Sequence, residues 1–230
     1  QSVGNGEDAV IDIVNNDTAG AFPLDPESVT LTEPVNATDV HIDAEGDIIG
    51  FTVPGEGTWS VDESTGRVTF SPEDGYVGDP TPVEYTVEDT QSNPTTSLIS
   101  INYPPVANND SLIGLAAGEV AVLTPVGNDQ ETSTALDPES INFVVPDAAI
   151  GRDTDGDGDI DEVVVPNEGT WTANPDGTVT FDPDGNLDGN VTPLNYTIQE
   201  LNGEESNEAT LTVTYVDAGV FPEAIDDTLE

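Results

Sequence analysis

The sequence repeats itself once, with most matching residues 112 positions apart. Leu-Asp-Pro-Glu-Ser at 24–28 returns at 136–140, and Glu-Gly-Thr-Trp at 56–59 returns at 168–171. Further landmarks follow in the same order, namely Val68-Thr69-Phe70 with Val179-Thr180-Phe181, Tyr85-Thr86 with Tyr196-Thr197, and Ile99, Ile101 and Tyr103 with Leu211, Val213 and Tyr215. A unit of this length is large enough to fold alone, so the chain is an array of similar domains.

A second match sets the boundaries of these domains. Residues 105–110 resemble residues 222–227, with Pro, Ala and Asp at equivalent positions. We therefore predict a first module over 1–103 that lacks its first strand, a second module over 104–221, and the start of a third repeat over 222–230. On this interpretation the native protein continues beyond residue 230.

Each module has the sequence pattern of short strands. Val83, Tyr85 and Val87 alternate with polar residues, the period of a strand buried on one face. Ile99–Tyr103 and Leu211–Tyr215 repeat that alternation, and Gly- and Pro-containing turns such as 64–66 and 174–177 separate the strands. The pattern predicts an all-β protein of two tandem Ig-like or cadherin-like antiparallel β-sandwich modules in an extended arrangement.

The charge balance restricts the possible partners. The sequence has 47 Asp and Glu residues against two arginines and no lysine, which gives a formal net charge of -45. Such a polyanion repels nucleic acid and anionic membrane surfaces, so neither is an expected partner, and no apolar stretch is long enough for membrane insertion. The same charge opposes compaction, which bound cations or external salt would offset, and it favours a monomer.

The residue types that most catalytic mechanisms need are scarce. There is no Cys or Lys and a single His, His41, which leaves Ser-His-Asp, Cys-His and Schiff-base chemistry without support. A carboxylate pair for glycoside hydrolysis is found by chance in any set of 47 acids, so it carries no information. We therefore predict that the protein is not an enzyme. Because disulfides and lysine cross-links are both impossible, a metal ion is the remaining way to rigidify small domains.

The strongest motif for a ligand is a run of aspartates between 153 and 161. Ca²⁺ prefers six to eight oxygen ligands, and carboxylates at alternate positions around glycines can converge on one ion. The run resembles an EF-hand loop at its first six positions, but Val164 stands where that loop has its closing Glu. The closing ligand would have to be Glu162 or a residue from another loop. The predicted Ca²⁺ ligands are Asp153, Asp155, Asp157, Asp159, Asp161 and Glu162.

Two weaker metal sites are also predicted. The equivalent part of module 1 keeps Asp43, Glu45 and Asp47 but has His41 and Ile49 at the outer positions. At the junction, Asn109 and Asp110 follow Pro104-Pro105 and could hold a calcium ion between modules. The alternative at the junction is a set of polar turn residues selected for their backbone preferences.

The repeated aromatic residues have two possible roles. Trp59, Trp171, Tyr85 and Tyr196 could form a sugar-binding platform or the large core residues of small sandwiches. Their identical placement in both repeats favours the core.

The ordered landmarks resemble one known family. Gly57-Thr58-Trp59, Val68–Pro72, Gly75–Gly78 and Pro82–Asp89 are similar to the CshA-type fibril repeat, and the second copy resembles it equally. That repeat occurs in streptococcal fibrillar adhesins and in giant adhesins of marine and other Gram-negative bacteria. In one departure, module 2 has Gln199-Glu200 in place of Glu88-Asp89. A calcium ligand is therefore not carried over to that place.

The resemblance implies a secreted stalk on the bacterial cell surface, which projects a distal head that binds a host or surface ligand for cell adhesion. We expect calcium ions and neighbouring repeats of the same chain as the direct partners of these modules. Two alternatives remain open, a calcium-dependent module that itself binds a glycan or protein, and an accessory domain of a secreted hydrolase. Repetition favours the stalk, because each added module increases reach.

A stalk segment should be elongated in solution. Pro104 and Pro105 favour extended backbone at the module boundary, and like charge on both modules opposes folding back. Two sandwiches in line, with strands that rise about 3.3 Å per residue, predict a rod of roughly 90 Å. Small-angle scattering measures this dimension directly, and a compact two-domain particle would contradict the prediction.

Overall fold

A computed structural model describes residues 3–185, 187 and 189–216. The chain divides into two compact units, residues 1–104 and 105–230. The third repeat predicted at 222–230 lies outside the described residues.

Unit 1 is built from two antiparallel sheets. Its strands are β1 (Ala9–Asp12), β2 (Thr30–Leu31), β3 (Thr38–Ile42), β4 (Ile48–Val53), β5 (Gly57–Asp62), β6 (Arg67–Pro72), β7 (Val83–Glu88) and β8 (Pro94–Ile99). One sheet has the order β1-β6-β5-β4-β3, and the other has the order β2-β7-β8. One α-turn (Ile13–Asn16) and one 3₁₀ turn (Pro26–Ser28) complete the unit.

Unit 2 repeats this plan and adds two strands. The strands of unit 2 are β9 (Asp110–Leu115), β10 (Ala121–Leu123), β11 (Asn142–Val144), β12 (Ile150–Arg152), β13 (Glu162–Val165), β14 (Gly169–Ala173), β15 (Val179–Pro183), β16 (Gly189–Asn190), β17 (Leu194–Thr197) and β18 (Ala209–Tyr215). The two added strands are β9 and β16. The first sheet has the order β10-β15-β14-β13-β12; the second has the order β11-β17-β18-β16, and β9 pairs with β18 in parallel. The 3₁₀ turns are Pro125–Gly127 and Pro138–Ser140.

These strands confirm the prediction of an all-β protein with two tandem sandwich modules. The described helices are single turns, and none of them has the length or apolar character needed to cross a membrane. The predicted turn at 64–66 joins β5 to β6 and the turn at 174–177 joins β14 to β15, with Gly66 and Gly177 at positive φ.

A tryptophan and a phenylalanine on adjacent strands form the centre of each core. Trp59 lies opposite Phe70 and Trp171 opposite Phe181, with ring centroids 5.0 and 4.8 Å apart. Trp59 and Trp171 have no exposed area, and Tyr85 and Tyr196 are also buried. The core role predicted for these four residues is therefore confirmed, and the sugar platform is wrong.

The glycine of the Gly-Thr-Trp motif is required by close packing against that phenylalanine. A Cβ on Gly57 would lie 2.4 Å from the Ser71 carbonyl oxygen and 2.8 Å from the Phe70 ring. Gly169 has the same contacts in unit 2, 2.3 Å from the Asp182 carbonyl and 2.8 Å from the Phe181 ring, and its φ is +155°. Any side chain there would separate the two strands.

The repeated acids outside the predicted metal loops have structural roles. Glu56 accepts hydrogen bonds from the Thr81 N–H and hydroxyl, and Glu168 accepts the same pair from Thr192. The Asp of the Leu-Asp-Pro-Glu-Ser motif caps the 3₁₀ turn in both units, because its side chain accepts a hydrogen bond from the backbone N–H of the Glu two residues later. These contacts explain in physical terms why both motifs recur.

The prediction of a strand over Ile99–Tyr103 is wrong beyond Ile99. β8 ends at Ile99, whereas β18 continues to Tyr215 as predicted. The added length of β18 is paired with β9 on one side and β16 on the other.

Glu200 is a buried carboxylate held by a turn of three polar residues. It is 1% exposed and accepts hydrogen bonds from the backbone N–H groups and hydroxyls of Thr132, Ser133 and Thr134. Burial opposes its charge, but these donors outweigh burial and lower its pKa to about 2. The equivalent Asp89 instead accepts from its own turn, at Gln91 and Asn93. The departure from the family pattern at this position therefore has a structural reason.

We predict that Glu200→Gln destabilises unit 2 in a pH-dependent way. A folded pKa near 2 against an unfolded value of 4.5 corresponds to about 3 kcal/mol of stability. Because the folded pKa is depressed, this stability is complete above the unfolded pKa and is lost as the pH falls towards 2. Urea unfolding at pH 7 and pH 3 should therefore show a large difference from wild type at pH 7 and a smaller one at pH 3.

The exposed Glu131, next to the same turn, supplies the matched control. Glu131→Gln should leave stability unchanged at both pH values. An equal loss at pH 3 and pH 7 for Glu200→Gln would contradict a charge-based role and indicate a packing defect instead.

Candidate metal centre

The predicted aspartate run forms the tip of a β-hairpin. β12 ends at Arg152 and β13 begins at Glu162, and these two residues are partners in the ladder. Their side chains form an ion pair, and the Asp161 N–H donates to the Arg152 carbonyl. The loop is therefore closed at its base, and its nine residues project from a fixed frame.

Four carboxylates of this loop converge. Single oxygens of Asp153, Asp155, Asp157 and Asp161 all lie within 4.8 Å of one another. Gly156 and Gly158, at φ +90° and +113°, let the backbone reverse between them. In the described part of the chain this is the one group of three or more acidic or His side chains with such spacing.

Backbone N–H groups of the loop orient these side chains. Asp153 accepts from Gly156 at 2.6 Å through Oδ1 and from Gly158 at 3.1 Å through Oδ2. Asp161 accepts at Oδ2 from the Thr154 N–H at 2.7 Å. The Asp153 oxygens each keep a further lone pair, whereas Asp161 Oδ2 also accepts from the Thr154 hydroxyl. Asp161 would therefore bind a cation through Oδ1.

Repulsion between carboxylates of the loop contributes to raised pKa values at Asp155 and Asp159. For Asp155, a backbone hydrogen bond from Asp157 lowers the pKa, but desolvation and the charges of Asp157 and Asp161 together raise it. For Asp159, burial raises the pKa first, and the charges of Asp157 and Glu205 add to it. A divalent cation would remove this repulsion.

Two predicted ligands lie outside the group. Asp159 does not share the 4.8 Å cluster, and the carboxylate of Glu162 contacts the Arg152 guanidinium. Sequence reasoning considered Glu139 for the junction site and did not place it at this loop. Its side chain lines a cavity of about 200 Å³ together with Asp155 and Asp161. Glu139 comes from the 3₁₀ turn Pro138–Ser140, and only folding brings that turn beside the loop.

The equivalent hairpin of unit 1 is closed more tightly. Ile42 pairs with Ile48, which leaves a five-residue turn. Asp43 Oδ1 accepts from the N–H groups of Glu45, Gly46 and Asp47, at 3.0, 2.7 and 2.8 Å. The structure thus places Asp43 as a turn cap. Burial, followed by the charges of Asp43 and Glu88, raises the pKa of Asp47.

The junction residues belong to a hydrogen-bonded cluster inside unit 2. Asn109 Oδ1 accepts from the Thr210 N–H at 2.8 Å, and Asp110 Oδ2 is 3.4 Å from the Tyr196 hydroxyl. That hydroxyl also donates to Asp129 at 2.9 Å. Burial raises the pKa of Asp110, and it raises that of Asp129 to about 6.

Comparison with solved structures finds similar two-domain chains at low identity. The fibronectin(III)-like modules of Clostridium thermocellum CbhA share 9% identity, with 98% of this chain and 96% of that chain covered and a TM-score of 0.32. Murine CEACAM1b shares 12%, with 92% and 95% covered and a TM-score of 0.33. The Ig1-2 module of the Drosophila receptor tyrosine phosphatase DLAR shares 12%, with 93% and 94% covered and a TM-score of 0.26.

A comparison with curated protein sequences finds no match. A family model does match, and it covers nearly the whole chain. The model of the surface adhesin CshA repetitive domain matches residues 6–102 and again residues 102–215. Both matches contain the Gly-Thr-Trp motif, the Trp–Phe core pair and the Tyr strand described above. The chain therefore belongs to the CshA surface-adhesin repeat family and contains two tandem copies of its repetitive domain.

Proposed function

We propose that these two repeats are a calcium-stabilised spacer of a secreted bacterial cell-surface adhesin, which positions a separate binding head. The membership in a surface-adhesin repeat family supports the adhesin role. The two units have equivalent cores and repeated caps, and they differ in the added strands β9 and β16 and in their loops. Such near-equivalence is expected of modules that contribute length.

One observation carries the calcium part of the proposal, namely the convergence of four carboxylates at the tip of the β12–β13 hairpin. Carboxylate oxygens are the hard ligands that Ca²⁺ prefers, and Ca²⁺ tolerates the irregular geometry of a flexible loop better than Mg²⁺. Asp153, Asp155, Asp157 and Asp161 would hold the ion, and Glu139 faces the same cavity as a candidate closing ligand.

The proposed role is structural, without catalysis. A bound cation would neutralise repelling carboxylates and fix a loop attached to both sheets of unit 2. The Ile160 N–H in this loop donates to the Asn142 side chain in β11, and Asp161 contacts β14 through the Ala173 N–H. A glycan-binding role has less support, since no aromatic residue lines the cavity beside the loop.

We predict that the chain binds one Ca²⁺ tightly and that unit 2 holds it. The double variant Asp153→Asn/Asp155→Asn should abolish this binding in a calorimetric titration, because two of the four converging charges are lost. The matched variant Asp43→Asn/Glu45→Gln in unit 1 should leave the binding unchanged. Equal effects of both variants, or no heat with the wild-type chain, would contradict the proposal.

A second prediction is that Asp155→Asn has opposite effects with and without calcium. In EDTA it should raise the melting temperature of unit 2, since it removes a repelling charge while Oδ1 still accepts from Asp157. In calcium it should lower the melting temperature relative to wild type. Ca²⁺ at a hundredfold excess over its dissociation constant adds about 2.7 kcal/mol, which is several degrees for a domain of this size.

Scanning calorimetry in EDTA, Ca²⁺ and Mg²⁺ at one ionic strength makes this comparison. The ionic strength must be matched, because screening of the -45 charge also stabilises the fold. A variant that melts lower than wild type in all three buffers would show that Asp155 acts only through its hydrogen bond.

A further inference from the structure

The outward side of the second sheet of unit 2 has a central region without charged residues. In the ladders, Val144 lies opposite Asn195 and Asn195 opposite Thr210, while Thr212 lies opposite Ser111. The residues that alternate with the threonines of β18 are buried, so these threonines point outward. We call six residues of this region the neutral face, namely Ser111, Val144, Asn195, Thr210, Thr212 and Thr214.

The lack of charge distinguishes this region from its counterpart in unit 1. Glu84 and Glu88 hold two outward positions of β7, and unit 2 has Asn195 and Gln199 at the equivalent places. Each carboxylate is thus replaced by a neutral amide. The outward side of the other sheet of unit 2 keeps charge, for example at the exposed Asp182. The neutral face is therefore a local exception in a chain with 47 acids.

The hydroxyl groups of the neutral face are held in place and keep hydrogen-bonding capacity. Thr210 donates to Asn195 Oδ1 at 2.9 Å, and Thr214 Oγ1 accepts from the Gly114 N–H at 3.2 Å. The Thr214 hydroxyl therefore keeps its proton for an external acceptor, and the Thr210 oxygen keeps lone pairs for an external donor. Because threonine is stiff at χ1, a ligand that binds these groups loses little affinity to side-chain ordering.

The size of the neutral face restricts the kind of partner that it fits. It spans the strands β11, β17, β18 and β9, and strand spacing and rise give it sides of roughly 15 Å and an area of about 200 Å². A stable protein complex buries about 800 Å² on each partner, so this face alone is too small to hold a protein. It is also a sheet surface, whereas apolar small molecules bind in concave pockets.

Charge narrows the choice of ligand further. Glu208 accepts from the Asn195 side chain at 3.1 Å and Glu205 from the Thr197 hydroxyl at 2.8 Å, so exposed acids border the neutral face at one end. These acids and the net charge of -45 repel an anionic polymer, and a cationic ligand binds acid-rich surfaces in preference to an uncharged one. A neutral ligand rich in hydroxyl groups meets no such repulsion, and its hydroxyls pair with Thr, Ser and Asn side chains.

We propose that the neutral face of unit 2 binds a neutral polysaccharide. This role goes beyond that of a spacer, and it does not require the proposed calcium site. The face has no aromatic residue on which a sugar ring could stack, so the contact consists of hydrogen bonds for which water competes. The expected affinity of one unit is therefore weak, with a dissociation constant of about 1 mM.

Affinity electrophoresis in native gels detects binding of this strength, because the chain migrates fast at a net charge of -45. The gels contain EDTA and one of three neutral polysaccharides, namely mixed-linkage β-glucan, dextran or galactomannan, and a gel with anionic alginate serves for comparison. At least one neutral polysaccharide should slow the wild-type chain relative to a gel without polysaccharide. Alginate should leave its mobility unchanged.

Two variants place a carboxylate on the neutral face. Asn195→Glu restores the residue type that unit 1 has at this position, and Thr212→Glu adds the charge at the centre of the face. Each should weaken binding by roughly tenfold or more, because an unpaired charge replaces a hydrogen-bonding group. Thr180→Glu is the matched control, since it adds the same charge to unit 2 on the outward side of the other sheet and should bind like wild type. Melting curves of all three variants verify that each is folded.

Three results would overturn the proposal. The first is a wild-type chain whose mobility none of the three neutral polysaccharides changes. The second is a folded Thr212→Glu chain that is slowed as much as wild type, or slowing that requires calcium and therefore belongs to the aspartate loop. The third is sedimentation that shows self-association of the wild-type chain and its loss in Thr212→Glu, which would make a second copy the occupant of the face.

Discussion

Carboxylates in this protein accept hydrogen bonds mainly from backbone N–H groups at tight turns, since the sequence offers them almost no cations. Arg67 pairs with Asp12 and Arg152 with Glu162, and no further Arg or Lys exists. Turn donors therefore hold acids such as Asp43, Asp89 and Glu200, and for Asp89 and Glu200 they lower the pKa. Where a loop supplies too few donors for its acids, as between 153 and 161, repulsion remains for a cation to relieve.

The contrast between acids held by turn donors and acids left to repel one another explains why two units with one scaffold differ in their loops. Eight strands of each unit, the Trp–Phe pair and the Glu56 and Glu168 caps are equivalent, because every copy needs them to pack its core and hold its turns. The hairpin tip is under no such constraint. In unit 1 a five-residue turn satisfies one aspartate with three N–H groups; in unit 2 a longer loop brings four carboxylates together. The longer loop with five aspartates forms the candidate ion site, and the shorter turn with three acids forms the cap.

The sequence alone predicted the all-β fold, the repeat and the core aromatics, because alternation and self-similarity are properties of the chain itself. It also identified all four of the aspartates that converge in the loop. It could not place Glu139 beside this loop, because that residue is distant in sequence and reaches the loop only through the packing of a 3₁₀ turn. It placed Glu162 in the site because spacing cannot show that Arg152 lies opposite it in the ladder. The predicted strand at 99–103 failed for a similar reason: β18 depends on its neighbour β9 as well as on its own alternation.

The geometry of the aspartate loop affects how strongly a bound cation could stabilise unit 2. A loop that is disordered without an ion must be ordered on binding, and the conformational entropy lost reduces the affinity. Here Asp153 and Asp161 are already held by N–H donors from Gly156, Gly158 and Thr154, and the Arg152–Glu162 pair fixes the base. A cation could use the remaining lone pairs of Asp153 and the Oδ1 atom of Asp161, so binding need not break these contacts. A cation that binds here would therefore meet a loop that is already held in place, and more of its attraction to the carboxylates would remain as stability of unit 2.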